Sequence, residues 1–292
     1  MAADLLPDTP AACPCALASR AKARPEVVNF LIENALVDHY LELLKVAVDP
    51  KEVDVQIETF KKEIAERKQE FAKVLEKMEI SEAELKVEVL NQLRWEKFVA
   101  QQGTDDKLKK LFETSPEIFD GSMVHARHIL IVLAGNDDAG KAAALKKTQE
   151  LKAGLDAAVA SATAKVPPAA APLDRQRQIN QATDDAFSAV AREHSSCPTK
   201  RDGGDLGEFP RMGMMVEPFA KAAFAMKPFE ISEPVLTQYG YHLILVTGKK
   251  PGEAVPFESL KGAVAEVYGT RLREAVVSKM KTDPNTKIEI AK

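Results

Sequence analysis

FSAVAREHSSCPTKRDGGDLGEFPRMGMMVEPFAKAAFAMKPFEISEPVLTQYGYHLILV, from Phe187 to Val246, alternates short apolar runs with glycine turns. It opens on a helical stripe through Phe187, Val190 and Ala191 and ends on Tyr241-His242-Leu243-Ile244-Leu245-Val246, a strand pattern closed by Gly248 and Pro251. Between them, Gly203-Gly204-Asp205-Leu206-Gly207 reads as a turn. It lacks the Lys-Ser/Thr of a phosphate-binding loop, and Asp202 and Asp205 repel phosphate. Taken singly, the polar and apolar residues here have ordinary explanations. A histidine in an apolar strand is usually a hydrogen-bonded core residue, Cys197 a buried structural thiol, and Met215 with Phe219 four residues later a helix core pair.

Working outward, His128-Ile129-Leu130-Ile131-Val132-Leu133 is a second short apolar run, closed by Gly135-Asn136-Asp137-Asp138, and predicts a buried strand. A helix is expected from Ala139 to about Ala160. The run Val166-Pro167-Pro168-Ala169-Ala170-Ala171-Pro172 reads as a spacer, with a helix resuming near Asp185, so the region near 160–184 is an insertion. Upstream the period is helical. Val28, Leu31, Ile32, Leu36, Tyr40, Leu43 and Leu44 form one stripe; Val53, Ile57, Phe60, Ile64, Phe71, Val74, Leu75 and Met78 form a second. Asp49-Pro50-Lys51-Glu52 and Ser81-Glu82-Ala83-Glu84 are capping boxes, the second opening a helix through Leu85, Val89, Leu93 and Phe98. Downstream, Leu260, Val264, Val267, Leu272, Val276 and Met280 predict one long helix before a short strand at Ile288-Glu289-Ile290.

The Phe187–Val246 stretch resembles the parvulin peptidyl-prolyl isomerases. The match is carried, in order, by His125-Ala126-Arg127-His128-Ile129-Leu130, Ser195-Ser196-Cys197-Pro198-Thr199, Gly203 to Phe209, Met215 to Phe219 and Tyr239-Gly240-Tyr241-His242. The resemblance implies an α+β fold with an antiparallel sheet and no cofactor. It also implies a histidine pair, His128 and His242, with Cys197 as the third polar residue and Thr237 as a nearby hydroxyl. The implied proline pocket is Leu206, Met215 and Phe219, with Tyr239 on the adjoining segment. Pro210-Arg211-Met212 is one residue longer than the family's usual step, which leaves Met214 as the alternative to Met215. His125, three residues before His128, points to the opposite strand face and receives no role. Asp137 and Asp138 stand where phosphate-directed parvulins carry basic residues, which argues against phosphoserine-proline selectivity. The implied reaction is isomerisation of X-Pro bonds in unfolded or partly folded clients; the alternative is a non-catalytic holdase that grips peptide through the same fold.

The helical flank resembles, more loosely, the chaperone region of SurA-, PrsA- and PpiD-like foldases. Expected boundaries are a flexible tail at 1–24, a helical domain at 25–121, the isomerase domain at 122–250, and a 251–292 segment returning to the helical domain. A plain bundle or a homodimerisation arm is the other reading of the helices. An extracytoplasmic location follows from the resemblance alone, since the first twenty residues lack a charged start followed by an apolar core. Bulk numbers agree with a globular chain of two domains. Lysine plus arginine total 40 against 44 aspartate plus glutamate over 292 residues, so no nucleic-acid footprint is expected. No run approaches the ~18 apolar residues of a membrane span. Cys13 and Cys15 sit one residue apart in the tail and do not form a disulfide framework with Cys197 by spacing; His128, Cys197 and His242 likewise lack paired-ligand spacing for a metal.

Overall fold

The computed structural model describes residues 23–135, 137–168 and 171–287; the tail, with Cys13 and Cys15, and the strand expected at Ile288–Ile290 lie outside the described residues. The described residues divide into two compact units, one built from 23–114 and 256–287, the other from 115–255. Among the described residues no helix is long and apolar enough to cross a membrane.

The helical unit contains α1 (Ala23–Leu43), α2 (Pro50–Glu66), α3 (Phe71–Met78), α4 (Glu82–Gln102) and α5 (Asp105–Thr114). It closes with the last helix, α9 (Phe257–Thr282). Both capping boxes form: Asp49 accepts from Lys51 N at 3.0 Å, and Ser81 and Glu84 bond each other's backbone N–H. Two apolar clusters hold the unit. Leu36, Val37 and Leu41 of α1 meet Phe98 of α4 and Val276, Val277 and Met280 of α9; Val53 and Ile57 of α2 meet Leu75 and Leu85.

Two expectations need correction here. Leu31, Leu43 and Leu44 are exposed, because α1 docks on α4 and α9 through the face carrying Leu36, Val37, Tyr40 and Leu41. The second stripe is also two helices. Lys68 takes a left-handed φ of 56°, and Gln69 N bonds back to Ile64 O at 3.0 Å, so α2 stops and α3 turns away without any glycine to mark the break.

In the other unit, β1 (Met123–Val132), β2 (Asp205–Pro210), β3 (Val235–Thr237) and β4 (Gly240–Lys250) form an antiparallel sheet in the order β2-β1-β4-β3. The long hairpin of α6 (Asp138–Ala164) and α7 (Pro172–His194) covers one face, packing on Ile129, Ile131, Leu243 and Leu245. The short helix α8 (Glu217–Ala225) covers the other, over Val124, Ala126, Ile244 and Val246. β1 and β4 therefore split their apolar residues between two cores by simple alternation. The ends of this unit are held together by backbone N–H contacts. Glu253 N bonds Asp120 O at 2.8 Å and Gly252 N bonds Ser122 Oγ at 3.1 Å, tying both ends to each other beside the Met123–Lys250 strand pair.

The expected insertion near 160–184 is also different in kind, because α7 starts at Pro172 and not near Asp185. Its first turns are polar and exposed and are held by Gln176 to Asn180 at 2.8 Å and Gln181 to Asp185 at 3.0 Å, a pattern that apolar periodicity does not register.

Gly204 sets the approach of the motif turn to β1. Its φ is +79°, and a Cβ there would lie 2.2 Å from His128 O. Gly204→Ala is therefore expected to lower stability by about 3 kcal/mol, through strain plus a backbone clash. A urea midpoint unchanged from wild type would refute the close approach.

Candidate active site

His128 sits in β1 and His242 in β4, on neighbouring strands and on the α8 face of the sheet, where His242 pairs with Leu130, two residues from His128. The rings stack with centroids 5.3 Å apart and an interplanar angle of 19°, their Nδ1 atoms 3.1 Å apart. They are 1% and 3% exposed. A hydroxyl stands at each outer nitrogen. Thr199 Oγ1 lies 3.3 Å from His128 Nε2, and Thr237 Oγ1 lies 2.8 Å from His242 Nε2.

Local structure explains each position. Thr237 ends β3, where pairing with Gly240 and a 3.1 Å bond from Tyr239 N aim its hydroxyl at the sheet. Thr199 lies in the 3₁₀ turn Pro198–Asp202, and Ser195 Oγ fastens the approach to that turn by accepting from Leu130 N and Cys197 N. Arg127 secures the far end of the turn, donating to Asp184 at 2.6 Å and to Asp202 O at 2.8 Å. In the glycine turn, Asp205 accepts from Gly207 N at 2.8 Å, so its carboxylate is used within the turn itself.

Burial lowers His128 to about 4; burial, and then the neighbouring His128, lower His242 to about 3. Both imidazoles are neutral near pH 7. Each neutral ring carries one N–H, so the Nδ1–Nδ1 contact requires opposite tautomers. The result is a hydrogen-bond chain that runs in either direction. One way, Thr237 donates to His242, His242 to His128, His128 to Thr199, and Thr199 to Cys197 Sγ at 3.2 Å. The other way, Thr199 donates to His128 and His242 to Thr237, whose own proton turns to Gly240 O at 3.4 Å.

Phe219 stands edge-on to both imidazoles, at 5.8 Å and 84° from His128 and 5.3 Å and 77° from His242. Phe209, Ala223, Met226 and Ile244 complete the apolar floor, and half-buried Leu206, Met214, Met215 and Val216 pack against it. His128, His242, Thr237 and Phe219 are thus brought together, with Leu206 and Met215 on the same cluster. Both Met214 and Met215 line it, so the register left open by Pro210-Arg211-Met212 does not separate them. Tyr239 joins through its backbone N–H.

Cys197 is buried and disulfide-bonded, and its sulfur accepts a weak hydrogen bond from Thr199, whose hydroxyl also faces His128. Disulfide partners are set by Cα separation in the fold, and sequence spacing does not reveal them. Thr199, which binds His128, was visible only as the last residue of the Ser195–Thr199 motif, and its sole local signal was the proline opening a short turn before it.

Residues 155–248 match the family model of the PPIC-type peptidyl-prolyl isomerase (rotamase) domain. Within the sheet unit, this stretch is similar to the PPIC-type isomerase domain. The matched stretch takes in Cys197, Leu206, Met215, Phe219, Thr237, Tyr239 and His242 but begins after β1. His128 lies outside the matched stretch and contacts His242, inside it, at 3.1 Å.

The foldase protein PrsA of Caldanaerobacter subterraneus subsp. tengcongensis is 36% identical over 182 residues, 62% of this chain and 45% of that protein. The peptidyl-prolyl cis-trans isomerase pin1 of Rhizopus delemar is 45% identical over 74 residues, 25% of this chain and 48% of that protein. The crystal structure of PrsA from Bacillus anthracis aligns over 90% of this chain and 100% of that one at 23% identity, with a TM-score of 0.48. The chain spans less than half the length of these curated relatives.

Proposed function

We propose that the protein is a peptidyl-prolyl cis/trans isomerase acting on X-Pro bonds of unfolded or partly folded polypeptides. The observation that carries the reading is the stacked, neutral histidine pair under an apolar wall of Leu206, Met215 and Phe219. Rotation about the amide has a barrier of ~18–20 kcal/mol because twisting removes the partial double bond. X-Pro amides are poised between both planar forms, and their uncatalysed exchange takes tens to hundreds of seconds.

A twisted amide is less delocalised and less charge-separated than a planar one, so an apolar, water-poor site binds it relatively better. Preference for the twisted form over the planar one is what accelerates rotation. In this mechanism the apolar wall grips the prolyl ring. The imidazoles and their flanking threonines form a floor whose hydrogen bonds reverse direction without gaining net charge, so it adapts to the moving carbonyl without introducing an ion. No covalent intermediate is formed. The helical unit, tethered to the domain at both ends, raises the local concentration of client chain.

A protease-free exchange assay on X-Pro peptides tests the reading. Wild type is expected to accelerate exchange, and Met215→Ala to lower kcat/KM roughly tenfold, the scale of a lost apolar contact of ~1.4 kcal/mol. His128→Ala and His242→Ala are expected to lower it further. Suppression of client aggregation without any acceleration of exchange would mark a holdase and overturn the proposal.

A further inference from the structure

Between β2 and α8 the chain forms the loop 211–216, which presses Met214, Met215 and Val216 onto the apolar cluster. One side-chain pair joins the two ends of that loop. Arg211 Nη1 donates to Glu217 Oε2 and Nη2 to Glu217 Oε1, each at 2.7 Å. Arg211 is only 4% exposed, and Glu117 Oε1 lies 3.9 Å from its Nε. Midway, Gly213 reverses the chain at a φ of +92°.

The position of the pair matters more than its charge. Arg211 follows Phe209 by two residues, and Glu217 precedes Phe219 by two; these two rings pack against each other at 6.1 Å, and Phe219 stands edge-on to both imidazoles. A guanidinium meeting a carboxylate through two parallel bonds fixes both separation and orientation, whereas an ammonium fixes only separation. With Arg211 buried and the Glu217 side chain 42% exposed, desolvating the guanidinium and screening the carboxylate leave the ion pair little net stability. What the fork supplies that apolar packing does not is a defined loop geometry.

We propose that Arg211 and Glu217 are positioning residues of the isomerase: their fork holds Met215 opposite Phe219 and so sets how tightly the slot takes a prolyl ring. The inference rests on the isomerase reading and extends it to residues outside the slot. Neither residue has to touch the substrate for this effect.

Stability and positioning separate in a cycle of Arg211→Leu, Glu217→Leu and the double variant. Glu217→Leu leaves the buried Arg211 guanidinium with Glu117 at 3.9 Å in place of its fork and is expected to lower Tm, whereas Arg211→Leu leaves Glu217, whose side chain is 42% exposed, in reach of water and is expected to cost less. The double change removes both charges and is expected to recover most of that loss. KM in the double variant is nevertheless expected to stay raised roughly fivefold, with kcat within about twofold of wild type. Arg211→Lys, which keeps the charge and loses the fork, is expected to show the same KM rise. Recovery of KM along with Tm in the double variant, or wild-type KM in Arg211→Lys, would overturn the proposal.

If wild type does not accelerate exchange, the isomerase reading fails by itself. The clamp is then decided by the ¹³C methyl signals of Met214 and Met215 and by the dissociation constant for a proline peptide. Shifts in both measurements in Arg211→Lys uphold it; unchanged values dismiss it.

Discussion

Phe219→Ala is expected to remove nearly all isomerase activity and about 3–5 kcal/mol of stability, the cost of emptying a buried aromatic site. The ring is 3% exposed and touches Phe209 and both imidazoles, so its loss opens a hole against the polar floor. Water entering that hole can hydrate His128 and His242, ease their protonation and break the two-way hydrogen-bond chain. Because loss of fold alone would abolish activity, the decisive variant is Phe219→Leu. It keeps an apolar side chain of similar bulk and is expected to cost less than about 1.5 kcal/mol. A flexible branched chain does not reproduce the edge-on contacts, so kcat/KM should still fall about tenfold. Wild-type kcat/KM in a folded Phe219→Leu variant would show that the ring is core packing and not part of the slot.

The second large effect is acid sensitivity. Both imidazoles have folded pKa values below the ordinary value near 6.5, at about 4 and about 3, because burial opposes their charged form. As pH falls below 6.5 the unfolded chain takes up protons while the folded chain does not. The stability they contribute is therefore whole above pH 6.5 and is lost as pH drops toward 4. At pH 5 the loss is about 2 kcal/mol per imidazole, or about 4 kcal/mol for the pair, a large share of the 5–15 kcal/mol typical of a domain. Urea midpoints at pH 7 and pH 5 measure it, with the His128→Asn, His242→Asn double variant as reference. If wild type and double variant lose equal stability between those pH values, the imidazoles are not the titrating groups.

The legibility of this molecule in its sequence follows a physical division. The strands carrying His128 and His242 were readable because β-branched and apolar runs bounded by glycine have few other folded uses, and α2 and α4 were marked by capping boxes that satisfy their own N–H groups. The phase of α1 was not readable, since apolar residues surround that helix and only its neighbours decide which face is covered. The first turns of α7 carry side-chain hydrogen bonds in place of an apolar stripe.

Within the site, motif order pointed to the imidazoles, Thr237 and the apolar wall. Thr199 as a ring partner and the Arg211–Glu217 fork were not legible in the same way. An arginine and a glutamate six positions apart look like surface charges until the loop between them folds back on itself. The disulfide state of Cys197 was hidden for a related reason, because its geometry belongs to the folded chain.

The adjacency of β1 and β4 bears on how the chain is assembled during synthesis. Val37 of α1 and Val276 of α9 meet in one cluster, yet about 140 residues of the other unit are translated between them. Closing such a span as loose chain costs about 3 kcal/mol more than closing across a few residues. A finished sheet, with Met123 beside Lys250, acts as a clasp that brings its own entry and exit together and removes most of that cost. The first helices leave the ribosome well before their last partner, and a sheet already formed by then lowers the cost of closing the α1–α9 seam.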